Sequence, residues 1–212
     1  MTDLVSLDRR SALKARHRQA IVVAARHLID ERHGPRFTVD ELARQADVSR
    51  RTVFNHFETL DDVILAACTE ILDGVVAAFR EKAVGAPRAD RRLGAVFEEL
   101  VRTVRTADLA QLTAYLWSAL GGAEAPPARQ QRFMQVALSR VADDLTTEVL
   151  DRNPAADPLD VQLLVSTLLH GVTVVAQHWI GASGGSVDAT SRASWDHLLD
   201  RVIVRMRAGY GS

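Results

Sequence analysis

The chain has 212 residues, 47% of them hydrophobic and 25% charged, with a net charge of −1 and a single cysteine, Cys68. This balance suits a chain that buries a core and argues against a disordered one, and the lone cysteine excludes an internal disulfide or a cysteine-based zinc site. Residues 1–60 carry 11 Lys/Arg against 8 Asp/Glu and four of the seven histidines, whereas residues 61–212 carry 15 against 19, so a basic head precedes an acidic body, which suits an anionic partner at one end.

Residues 1–14 read as a flexible basic arm and not as a secretory leader. Arg9, Arg10, Lys14, Arg16 and Arg18 form a run suited to following phosphates or entering a minor groove. Over 15–32 the spacing of Ile21, Ala24, Ala25, Leu28 and Ile29 predicts an amphipathic helix, ended by His33-Gly34-Pro35. Thr38-Val39-Asp40-Glu41 is a capping box that starts a short helix over 39–46. Ser49 caps a second, ending near Phe57, and Thr59 caps a long helix fading at Gly85-Ala86-Pro87. Further helices are predicted at 90–106, 108–120, 127–152, 158–181 and 188–208, separated by Gly121-Gly122, Pro126-Pro127, Asn153-Pro154 and a linker over 181–186. Asp157-Pro158 is a capping carboxylate followed by proline at the first helical position. No hairpin signal stands between alternating runs, so the fold is expected to be all-α, with about nine helices.

The two short helices at 39–46 and 49–57 have the spacing of a helix-turn-helix. Ala43 is small at their crossing, Asp47 takes the turn where a left-handed backbone is expected, and Val53 fills the contact. Val53 and Phe57 point inward, which leaves Arg50, Arg51, Phe54 and Asn55 as one outward face. Arginine pairs bidentately with guanine and asparagine with adenine, and Thr52 and His56 flank them within reach of phosphates. The same pattern also fits a solvated charged face.

Residues 37–67, FTVDELARQADVSRRTVFNHFETLDDVILAA, resemble the DNA-binding motif of the TetR family of repressors. The resemblance covers about 15–75, with its helix-turn-helix at 38–57. It implies that Arg50, Arg51 and Asn55 read base edges while Thr38, Thr52, Phe54 and His56 grip the backbone, with Ser49 at the N-cap counted in the DNA-facing set. It further implies a dimer, a palindromic double-stranded operator, and release by a ligand in the C-terminal domain, here 76–212. The sequence departs from the family pattern at three places: Asp47 replaces the common glycine, Phe54 the favoured tyrosine, and Leu60 a lysine that contacts phosphate.

Beyond residue 75 only the pattern speaks. The helix at 158–181 is apolar nearly all round, which predicts burial on more than one side. Pairing 158–181 and 188–208 with their copies gives a four-helix homodimer seam, where Gly171 permits close approach. A central core helix is the rival reading. Candidate effector contacts are Phe97, Tyr115, Trp117, Phe133, His170, His178 and Trp179, as polar or aromatic groups at apolar positions.

Neither a catalytic set, a metal site nor a cofactor is predicted. Gly181-Ala182-Ser183-Gly184-Gly185 matches G-x-S-x-G, but that elbow needs a preceding strand, and a flexible linker explains it. His170 and His178 are eight apart, wrong for a two-histidine helical metal site. A DNA-binding dimer without an effector and a helical enzyme are the alternatives. No membrane span is expected, because polar residues interrupt 161–180, and a cytosolic protein follows.

Overall fold

The computed structural model describes residues 2–84 and 93–210, and among them every regular element is helical. Among the described residues there are nine α-helices, α1 (Thr2–Arg32), α2 (Val39–Gln45), α3 (Arg50–His56), α4 (Leu60–Val84), α5 (Leu93–Thr106), α6 (Leu109–Ala119), α7 (Pro127–Arg152), α8 (Pro158–Ser183) and α9 (Ala189–Tyr210), with a 3-10 turn at Gly122–Glu124. The expected Gly85-Ala86-Pro87 break and the start near residue 90 lie outside the described residues. α1 begins well before residue 15, since neither glycine nor proline interrupts residues 2–14.

The chain divides into two units, one of residues 1–71 and 118–133, the other of 72–117 and 134–212. In the first, α1, α2 and α3 pack on one another around Ile21, Val22, Ala25, Leu28, Leu42, Val53 and Phe57, all buried. Cys68 is buried in the same unit, and burial pushes its thiol up to about 12, so it is an inert apolar filler. Residues 118–133 are tied back to this head by the Ser118 hydroxyl, which donates to the His33 carbonyl at 3.0 Å.

In the second unit, α5, α8 and α9 pack together. Their main cluster holds Phe97, Leu100, Val161, Leu164, Leu168 and Ile203, and a smaller one holds Ala110, Val175, Trp179 and Trp195. Arg207 bridges Glu98 through both carboxylate oxygens at 2.8 and 2.9 Å, and Arg192 bridges Asp108 at 2.8 Å, binding α9 to α5 and to the cap of α6. α8 starts as its sequence dictates: Asp157 accepts from the amides of Leu159 and Asp160, and Pro158 takes the first helical position.

α8 is long and apolar enough to cross a membrane by length and composition. Within the single chain it is packed on one side, through Val161, Leu164, Val165, Leu168, Val175 and Trp179, while Leu159, Leu163 and Val174 stand exposed. Gly171 permits a close approach, but to α9 of the same chain: a Cβ there would lie 2.6 Å from Val202 Cγ1. The expected seam contact at this glycine is thus an internal one.

Candidate nucleic-acid interface

Local capping chemistry fixes the start of α2. The Thr38 hydroxyl accepts from the Glu41 amide at 3.3 Å, and the Glu41 carboxylate accepts from the Thr38 amide at 2.7 Å. Arg32 at the end of α1 donates to the other oxygen of Glu41 at 2.8 Å. The Arg32 hydrogen bond, then those of Thr38, hold the Glu41 carboxyl at about 2. The carboxylate thereby links the end of α1 to the start of α2.

α2 ends in a Schellman motif. The Val48 amide donates to the Ala43 carbonyl at 3.0 Å and the Asp47 amide to that of Arg44 at 3.3 Å. Asp47 has φ 51°, the left-handed conformation expected of that position. Ser49 then accepts from the Thr52 amide at 3.0 Å and starts α3. Val53 and Phe57 are buried beneath it, which fixes the helix by its inner face.

Arg50, Arg51, Phe54 and Asn55 are all exposed on the opposite side. Phe54 is 45% exposed, an apolar ring held in water. The Arg50 guanidinium stands 5.8 Å from the Phe54 centroid and 3.5 Å from the carboxylate oxygens of Asp40, a loose tether that a stronger acceptor can outcompete. The hydroxyls of Ser49 and Thr52 share a 2.8 Å hydrogen bond, and that of Thr38 donates to Glu41 at 2.9 Å. These three groups serve local structure in the free protein.

Sequence patterns did not single out His17. Its ring meets that of His56 edge-on, with centroids 6.2 Å apart. Burial, then the charges of His17, Lys14 and Arg18, hold the His56 imidazole below its ordinary value. Arg18 stacks over the Phe57 ring at 4.9 Å. A positive strip on α1 therefore borders the end of α3. The run of basic residues over 14–18 was the visible signal, and its register against α3 was not. The side chains of Arg9 and Arg10 lie outside the described residues.

At the start of α4, Thr59 and Asp62 form a reciprocal cap, with amide-to-side-chain distances of 2.9 and 3.2 Å. Leu60 is half-buried. Asp61 and Asp62 are each paired by an arginine of α7, Arg129 at 2.7 Å and Arg132 at 2.8 Å.

The candidate effector residues do not converge. Phe97 and Trp179 are fully buried in separate clusters, with the Trp179 indole donating to the Ser191 carbonyl at 2.6 Å. Phe133 is buried in the first unit. Tyr115 and Trp117 are half-buried on α6, and Gly185 lies against the Trp117 ring. His170 and His178 are exposed on α8. Gly181-Ala182-Ser183 form the last turn of that helix, and Gly184 (φ 61°) is its left-handed cap. That is the geometry of a helix end and not of a nucleophile elbow.

Residues 21–67 match the family of bacterial regulatory proteins, tetR family. No curated protein matches the chain. Among solved structures, it is similar to a protein described as a TetR-family transcriptional regulator from Mesorhizobium loti, with 16% identity and a TM-score of 0.58 over 93% of this chain and 98% of that one. It is also similar to Thermus thermophilus FadR, a TetR-family transcriptional repressor in complex with lauroyl-CoA, with 21% identity and a TM-score of 0.55 over 88% and 93% of the two chains. The all-helical fold is that of TetR-family transcriptional regulators.

Proposed function

We propose that this chain, with a tetR-family head at residues 21–67 on a TetR-type helical fold, is a sequence-specific repressor that binds a palindromic operator as a homodimer and is released by a small molecule. The observation that carries this reading is the outward face of α3, where Arg50, Arg51 and Asn55 are exposed on a helix anchored from below by Val53 and Phe57. Arginine and asparagine so displayed match the donor and acceptor pattern of the major groove. Thr52, Phe54 and His56 flank them toward the phosphates, with Thr38 and Ser49 holding the helix starts.

Dimerisation is supported by α8 and α9. Leu159, Leu163 and Val174 of α8 and Val204 of α9 are 62%, 50%, 47% and 61% exposed, more apolar surface than two outer helices of a monomer need show. Covering them with the same helices of a second copy makes an isologous four-helix seam. Two recognition helices then enter successive major grooves about 34 Å apart. The protein acts in the cytoplasm, with the DNA.

Effector release draws support from the fold likeness to FadR, which was solved with lauroyl-CoA. A ligand releases the operator only by favouring the unbound arrangement through differential affinity. The test is selection of bound duplexes from a random pool, which returns half-site, symmetry and spacing together. A selected two-fold duplex that Leu163→Glu fails to bind, with that variant sedimenting as a folded monomer, is the expected result. A protein that selects no duplex refutes the reading. Displacement of labelled operator by small molecules, lauroyl-CoA first among the probes, separates the effector-controlled repressor from a dimer without an effector.

A further inference from the structure

We propose that Asp40 is a positioning residue for Arg50, steering its guanidinium toward a base edge and away from phosphates, and so sets how strongly the protein prefers its own site to other DNA. The proposal rests on the DNA-binding reading above and names a specificity residue within it.

Two short helices supply the parts. Asp40 and Glu41 are the acidic residues in the first turn of α2, and Arg50 opens α3. The Glu41 carboxylate is used locally, by Thr38 and by Arg32. The Asp40 carboxylate reaches the neighbouring helix instead, where both its oxygens stand 3.5 Å from Arg50 Nη1. The helix dipole accounts for an acid in the first turn of α2. It does not account for that acid meeting an arginine on the outward face of α3.

A second contact limits the same side chain. Arg50 and Phe54 are four apart on α3, and the guanidinium carbon lies 5.8 Å from the Phe54 centroid. Arg50 is thus bounded by a carboxylate of α2 and by a ring of its own helix. An arginine without such bounds sweeps a wide arc. In a groove walled by phosphates, much of that arc meets charge that every sequence offers alike.

The size of the effect follows from exposure. Both side chains of the pair are 62% exposed, so the contact is weak and screened: it biases the rotamers of Arg50 without locking them. A phosphate to one side must draw Arg50 off both contacts. A guanine facing α3 meets the guanidinium nearer to where it already stands, and less side-chain freedom is lost on binding. Non-matching DNA therefore gains less from Arg50 than the matched site does. The repulsion between Asp40 itself and phosphates is common to all duplexes and does not discriminate.

The experiment uses the full-length chain and three duplexes: the one it selects, the same duplex changed at the base pair where Arg50→Ala loses discrimination, and an unrelated one of equal length. In Asp40→Asn the preference for the selected duplex over the other two is expected to fall about two- to fivefold, because non-matching DNA gains the more. In an Arg50→Ala background the same substitution is expected to leave the preference unchanged, since the residue it acts through is gone. Asp40 is exposed, and urea midpoints establish that each variant is folded. An equal gain in affinity for all three duplexes would be a bare charge effect and overturns the proposal. So does an unchanged preference in Asp40→Asn, or a fall of the same size with and without Arg50. If Arg50→Ala itself spares base discrimination, the positioning role falls while DNA binding stands. A wild type that selects no duplex removes the DNA-binding reading and this one together.

Discussion

His17 of α1 and His56 at the end of α3 meet edge to face, their ring centroids 6.2 Å apart and their planes at 85°. Burial, followed by the positive charges of His17, Lys14 and Arg18, holds the His56 imidazole below its ordinary value of 6.5. As the pH falls below that value, the unfolded chain takes up a proton at His56 that the folded chain resists, so stability declines on acidification. Under the proposed function the sign reverses for binding: a phosphate beside His56 would favour the charged ring, and operator affinity is expected to rise on acidification. Urea midpoints compared at about pH 7.5 and about pH 5.5 are expected to fall less in His56→Gln than in wild type. Parallel declines would remove His56 from the account.

On the face of α3, Arg51→Ala is expected to lose about 1–3 kcal/mol of discrimination at one guanine. Phe54→Tyr acts differently. Adding a hydroxyl to the exposed ring is expected to supply a phosphate contact and to raise affinity for every duplex by about 0.5–1.5 kcal/mol without altering preference. Titrations against the selected site and against single-base variants distinguish the two behaviours. An equal loss on all sequences for Arg51→Ala would exclude base reading by that residue.

The turn at Asp47 provides a backbone test. At φ 51° a β-branched residue is a steric outlier, so Asp47→Val is expected to cost about 1–3 kcal/mol. Asp47→Gly relieves the left-handed strain but raises the entropy of the unfolded chain, and is expected to change stability by less than about 0.5 kcal/mol. Chemical denaturation of the two variants checks both figures, and an inert Asp47→Val would show that the Schellman turn is not held as described.

Gly171 gives an inverted expectation. Glycine to alanine inside a helix ordinarily stabilises by about 1 kcal/mol. Here the new methyl meets Val202 Cγ1 at 2.6 Å, and valine's stiff χ1 limits its retreat. Gly171→Ala is expected to destabilise by about 1–3 kcal/mol, with Val202→Ala restoring part of that loss in the double variant. A thermal-melt cycle over the four proteins measures the coupling.

The head was legible because its instructions are local. Thr38 and Glu41, Ser49 and Thr52, and the turn at Asp47 act over three to five residues, so caps, bounds and the outward face of α3 could be read from spacing. Ion pairs across long chain separations could not: Arg129 and Asp61 are 68 residues apart, and nothing in either segment names the other. The same holds for the register that brings His17 to His56. In the body, aromatic and polar residues at apolar positions marked burial without a destination. Phe97, Trp179 and Phe133 went to three different places because core packing and pocket lining use the same residue types.

The uncovered stripe on α8, Leu159, Leu163 and Val174, would, under the proposed function, link gene regulation to supply. If a second copy covers those side chains, as proposed, association removes them from water, and the paired form is expected to accumulate with the square of protein concentration while monomers dominate. On the proposed reading, operator occupancy is expected to climb sigmoidally with the cell's own stock of this protein, and dilution by growth to lift repression more sharply than simple one-to-one titration would.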